Sequence, residues 1–181
     1  MARLDHADPG NNPALMATYQ RIEKTRGSVS NILKTFSHAP EGLERFAALG
    51  EYVRYGTELK PRVREVAILT VARGIQYAWT HHVPPALKAG ITEAELELLN
   101  SGELPGTLDA AERMSIAFTR EFVNGGQVSG STFSNALKVF SKRQITELTL
   151  LCGYFLALGF TVNAFDVDLE TDRKPLMNAV T

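Results

Sequence analysis

From Asn12 onward the apolar positions of this chain recur mostly at helical spacing, and helix start and stop signals fall between them. Pro13 suits a first helical turn and is followed by a stripe of Leu15, Met16, Tyr19 and Ile22. Val29 to Phe36 reads as a short helix. Pro40 opens another with Leu43, Phe46, Ala47 and Tyr52 on one side, and Gly56 ends it. Pro61 to about Arg73 is nearly continuously apolar and rich in β-branched residues. Periodicity alone would allow a buried strand there, but its length and Pro61 favour a buried helix. After a break at Gly74, a helix from about Tyr77 to Ala89 is closed by Gly90. Pro84 and Pro85 inside it predict a kink or a restart near His82. Thr92 with Glu95, Asp109 with Glu112, and Ser141 with Gln144 are capping boxes for three further helices. Ser131 or Thr132 opens one more, through Phe140. No segment alternates cleanly with period two, so the expected class is all-α.

Composition narrows the picture modestly. The 181 residues suit one domain, with 44% hydrophobic and 22% charged residues. The expected division is a flexible N-terminal arm over 1–11, one helical domain over 12–170 and a C-terminal tail over 171–181. A formal net charge of −1 gives no electrostatic reason to expect nucleic acid or an anionic membrane as partner. The single cysteine, Cys152, cannot form an internal disulfide, which fits a cytoplasmic protein, and no basic neighbour activates it. The apolar run Leu148–Phe165 is interrupted by Thr149, Gly153, Gly159, Thr161 and Asn163. It reads as a core helix rather than a membrane span.

Candidate chemistry gathers between Arg62 and Leu99. Glu65 lies in a nearly all-apolar helix, where an unpartnered carboxylate costs several kcal/mol to desolvate. His81 and His82 follow on the next helix, and a helical hairpin would bring one of them to Glu65. The carboxylate would then fix the imidazole tautomer and raise the basicity of its second nitrogen. A purely structural Glu–His pair, or pairing of Glu65 with Arg62, Arg64 or Arg73, is the competing reading. The two histidines point about 100° apart on a helix, so at most one is expected to face a given pocket. Tyr77 and Trp79 are either core aromatics or pocket walls. Asn163 reads as a buried amide. No HExxH, GxSxG or phosphate-binding loop occurs, and no metal or cofactor is expected.

Arg64–Glu65, the apolar run, Tyr77-x-Trp79-x-x-His82, and Ala86 to Gly90 ahead of Ile91–Thr92 together resemble the central motif of the carboxymuconolactone decarboxylase and alkyl hydroperoxidase D-like superfamily. The segment from Tyr154 to Asp168 is similar to the ending of many members. The resemblance implies an all-helical bundle around a central hairpin, assembled as a homo-oligomer (a trimer or hexamer). It implies Glu65 at the acid position and His82 at the histidine position. The distance between them in sequence is slightly shorter than the usual pattern, the difference falling near Arg73–Gly74–Ile75. The peroxidase branch carries a CxxC before the histidine. Here those positions are Ile75 and Ala78, so a thiol-dependent antioxidant activity is disfavoured. What remains expected is a cofactor-free enzyme of aromatic catabolism, with His82 and Glu65 catalytic and His81, Tyr77, Trp79 and Asn163 binding a small carboxylated or lactone-type substrate. It would act by decarboxylation or isomerisation. A non-catalytic oligomeric ligand-binding protein is the other alternative.

Overall fold

A computed structural model of the chain describes residues 2–176, and every regular element among them is helical. The N-terminal segment is pinned to the body. Arg3 N–H donates to the Phe165 carbonyl, Ala7 N–H donates to Ser37, and a short 3-10 turn spans Pro9–Asn11. Then come α1 (Pro13–Arg26), the short α2 (Asn31–Lys34) and α3 (Pro40–Glu51), which runs into a π-helical turn at Tyr52–Gly56. Next are α4 (Pro61–Ala72), α5 (Gln76–Lys88), α6 (Glu93–Ser101), α7 (Ala110–Gly125), α8 (Gly130–Val139) and α9 (Lys142–Phe165). Met177 to Thr181, the end of the expected tail, lie outside the described residues.

The ambiguous apolar run is a helix, and its composition explains its place. α4 buries Val63, Glu65 to Leu69, Val71 and Ala72, because it is covered on several sides by α5, α7 and α9. A helix apolar all round is stable only in such a position. One core joins α4 to α9 through Ala67, Ile68, Val71, Leu148, Leu151 and Phe155. A second joins α4, α5 and α6 through Val66, Leu69, Trp79, Ala86 and Leu96. By length and composition α9 could cross a membrane; here it packs on α2, α3, α4, α7 and α8.

The three capping boxes form as their sequences predict. Two expectations need correction. α8 starts earlier, at Gly130, with the Ser129 hydroxyl accepting from Thr132 N–H. More consequentially, α5 is not divided at its prolines: one helix runs from Gln76 to Lys88 with Pro84 and Pro85 inside. The missing N–H groups deprive the Thr80 and His81 carbonyls of their helical donors. Burial of Trp79, Thr80, His82 and Ala86 holds the turn against that loss.

Candidate active site

α4 and α5 form a hairpin whose turn passes through Gly74, at φ +82°, a conformation that costs glycine little. This brings Glu65 and His82 together: Glu65 Oε2 lies 3.2 Å from His82 Nδ1, and both side chains are buried. Arg64 Nε approaches the other carboxylate oxygen at 3.5 Å. Arg62 and Arg73 are engaged elsewhere, Arg62 with Glu95 and Glu112 and Arg73 with the Asn100 and Ser101 carbonyls. Burial lowers the His82 pKa, and the hydrogen bond from Glu65 opposes that only in part. The ring is therefore neutral near pH 7. With Nδ1–H donating to the carboxylate, Nε2 carries the lone pair. Phe155 meets the imidazole edge to face, with centroids 4.8 Å apart.

His81 forms a second, separate pair. Its Nε2 lies 2.7 Å from Glu170 Oε2, beyond the end of α9. Glu170 also accepts from the Tyr77 hydroxyl (2.8 Å) and from Asn31 N–H (2.8 Å), so it ties α5 to the start of α2. Burial would raise the Glu170 pKa, but His81, Asn31 and Tyr77 outweigh it and hold it at about 2. Burial raises the Tyr77 hydroxyl, and its ring stacks on His81 at 4.5 Å.

Both histidines line one cavity of about 70 Å³, together with Tyr77, Tyr154, Arg26 and Arg54. Its apolar walls include Ile32, Leu33, Phe155, Leu158 and Val162. On the scale of about 10–15 Å³ for one enclosed water, it holds roughly five waters or the reacting end of a small molecule. Expecting only one histidine at a pocket was too narrow, because the cavity extends along α5 and takes in Tyr77, Ala78, His81 and His82. Trp79 does not reach it: the indole is 2% exposed and packs with Val66, Leu69 and Ala72, where the apolar face of α4 covers it. Asn163 is exposed rather than buried, since α9 turns that face outward in its last turns. Cys152 is fully buried, accepts or donates one contact with Thr119 at 3.3 Å, and is pushed up to about 11 by burial. Among the described residues no three metal-ligating side chains cluster.

Residues 40–121, from α3 into α7, match the model of the carboxymuconolactone decarboxylase family. Several solved structures share the fold. A peroxidase-related protein from Ralstonia eutropha JMP134 with an alkylhydroperoxidase AhpD core superposes with a TM-score of 0.79 at 13% identity, covering 94% of this chain and 93% of its own. A peroxidase-related protein from Silicibacter sp. TM1040 gives 0.75 at 18% identity, with 94% and 93% covered. A cysteine-to-alanine variant of the debrominase Bmp8, in complex with 2,3,4-tribromopyrrole, gives 0.75 at 15%, with 92% and 90% covered. Residues 40–121 thus carry the pattern of that family, and the chain as a whole has the AhpD-like fold. No curated protein matches it significantly. The Glu65–His82 pair on the α4–α5 hairpin lies inside the matched residues.

Sequence reading missed Glu170, Arg26, Arg54 and Tyr154. Glu170 lies 89 positions from His81 in a segment without helical pattern, and nothing local marks it. Arg54 carried a faint signal: a lone cation among Tyr52, Val53 and Tyr55 just before a helix-ending glycine.

Proposed function

We propose that this protein is a cofactor-free acid–base enzyme, with His82 exchanging a proton with a small carboxylated or lactone-type substrate and Glu65 orienting the ring. The supporting observation is a buried carboxylate–imidazole pair at 3.2 Å whose histidine lines a small cavity. Neutral His82 takes a proton from the carbon next to the substrate's carbonyl through Nε2. The electron pair left behind spreads over the carbonyl and an adjoining carbon–carbon double bond, and the imidazolium, stabilised by Glu65, returns the proton at the far carbon of that system, so that the double bond shifts. This favours isomerisation. Decarboxylation would draw on the same group in its protonated form, which the lowered pKa makes scarcer at neutral pH. A thiol reaction has little support, since the one thiol is buried, unactivated and outside the cavity lining.

Replacing His82 with Gln and following proton exchange into a panel of β-keto acids and lactones tests the reading. A loss of about 10²–10⁴-fold is expected for a positioned acid–base group. Unchanged turnover on any substrate of the wild type would remove His82 from the mechanism.

We also propose that the chain works as a homo-oligomer. Phe133 and Leu137 on α8 and Leu150 on α9 are 40–45% exposed and flank one apolar surface groove. Sedimentation of a monomer alone at micromolar concentration would refute this.

A further inference from the structure

The charges around the cavity differ in sign from the rest of the molecule. The chain as a whole carries a formal charge of −1. Yet the cavity beside His82 opens, past Arg26, Ser30, Arg54 and His81, into an outer vestibule of about 370 Å³ that adds Lys88 and Arg173. No carboxylate is among the residues lining that vestibule. Of the acids bonded to the lining histidines, Glu65 is held by His82, and Glu170 by His81, Tyr77 and Asn31 N–H, with Arg173 at 3.8 Å.

Arg54 is the informative residue. It sits on the π-helical turn that ends α3, where one extra residue in the turn re-aims the side chains. Val53 before it is fully buried in the core, while Arg54 lines the cavity. Among the described residues no carboxylate lies within ion-pair distance of Arg54, and its guanidinium rests 5.3 Å over the Tyr55 ring. A second orphan belongs to a residue that lines the same cavity. Tyr154 is 2% exposed and its hydroxyl, beside Arg26, finds no hydrogen-bond partner of normal geometry. The packing holds that hydroxyl in place: a Cβ on Gly50 would lie 2.2 Å from it. A cation without a counter-ion and a buried hydroxyl without a partner are both satisfied by an anionic oxygen.

We infer that this cavity recognises a substrate carboxylate through Arg54, supported by Arg26 and the Tyr154 hydroxyl, and that the substrate is a small acid with a compact apolar body rather than a neutral lactone. The inference rests on the same cavity as the acid–base reading but concerns binding alone. The apolar wall of Ile32, Phe155 and Leu158 receives the body of the acid, and the basic vestibule draws anions inward.

The test is calorimetric binding of acetate, 2-furoate and benzoate, each against its amide, to the full chain. The wild type should bind at least one acid in preference to its amide, more weakly as sodium chloride is added. Arg54→Met should weaken that acid about tenfold or more and leave the amide unchanged, with Arg54→Lys in between. If Arg54→Met fails to fold, Arg54→Lys and Tyr154→Phe carry the test, each weakening the acid selectively. Amides bound as tightly as acids, or acid binding indifferent to folded Arg54 variants, would overturn the inference. His82→Gln should keep carboxylate binding. Retained binding with unchanged turnover in that variant sinks the acid–base reading alone. Lost acid preference in folded Arg54 variants sinks this one alone.

Discussion

Two clusters on α4 hold buried carboxylates, and they are built to opposite ends. At the start of the helix, Arg62 bridges Glu95 and Glu112, with Nε 2.6 Å from Glu112 and Nη2 2.9 Å from Glu95. Glu95 also accepts from Thr92 N–H at 2.7 Å and from the Thr107 hydroxyl at 2.6 Å, and Glu112 from Asp109 N–H at 3.0 Å. Burial pulls the Glu95 pKa up, but Arg62, Thr107 and Thr92 together hold it at about 2. Less than one turn later, Glu65 has a 3.2 Å contact to one imidazole and a 3.5 Å approach of Arg64. The first cluster is saturated with donors and locks α4, α6 and α7 together. The second is sparsely satisfied beside a cavity. Equal burial of charge thus serves cohesion in one place and leaves a proton acceptor free in the other.

The sharpest way to break this comparison is to remove one member of each cluster. Arg62→Met leaves two buried carboxylates without their cation. It should cost about 3–5 kcal/mol in denaturant unfolding, the usual penalty for breaking a buried ion pair from one side. Glu65→Gln keeps an acceptor for Nδ1–H and should change stability by no more than about 1 kcal/mol. Its turnover should nevertheless fall, since a neutral amide stabilises the imidazolium less than a carboxylate does. A Glu65→Gln protein as unstable as Arg62→Met would show the dyad to be a second structural lock.

The difference between the clusters also explains what the sequence made legible. The lock was half visible: Thr92-x-x-Glu95 and Asp109-x-x-Glu112 are local patterns, and both fold as capping boxes. That Arg62 joins the two boxes was not visible, because contacts 33 and 50 positions apart leave no local trace. The dyad was legible because an isolated acid in an apolar helix demands a partner, and the next helix offered two histidines. The cavity was not. It needs α2, the π-helical turn, α5 and α9 to converge, and neither the faint signal at Arg54 nor anything at Tyr154 points to that convergence in sequence. Of the kink or restart forecast at the proline pair, the restart does not occur, because tertiary burial of α5 keeps it one helix.

The smallest expected effect is also the one that separates the clusters by pH. His82 has a folded-state pKa below its ordinary value of 6.5, so the unfolded chain binds that proton first as the solution is acidified. Unfolding then takes up protons, and the stability contributed by neutral His82 is present above pH 6.5 and declines as pH falls below it. The slope from one group is at most ~1.4 kcal/mol per pH unit. Glu95 of the lock, held at about 2, contributes in a lower window, losing its share only as pH falls from the ordinary carboxylate value of 4.5 toward 2. His6 is lowered too, by burial first, so the slope just below pH 6.5 has more than one source. Comparing wild type with His82→Gln by urea unfolding at stepped pH isolates the dyad: the variant should be flatter as pH falls below 6.5. Identical slopes in the upper window would mean that His82 is solvated as freely in the folded protein as in the unfolded one, and the neutral-base chemistry would lose its physical footing.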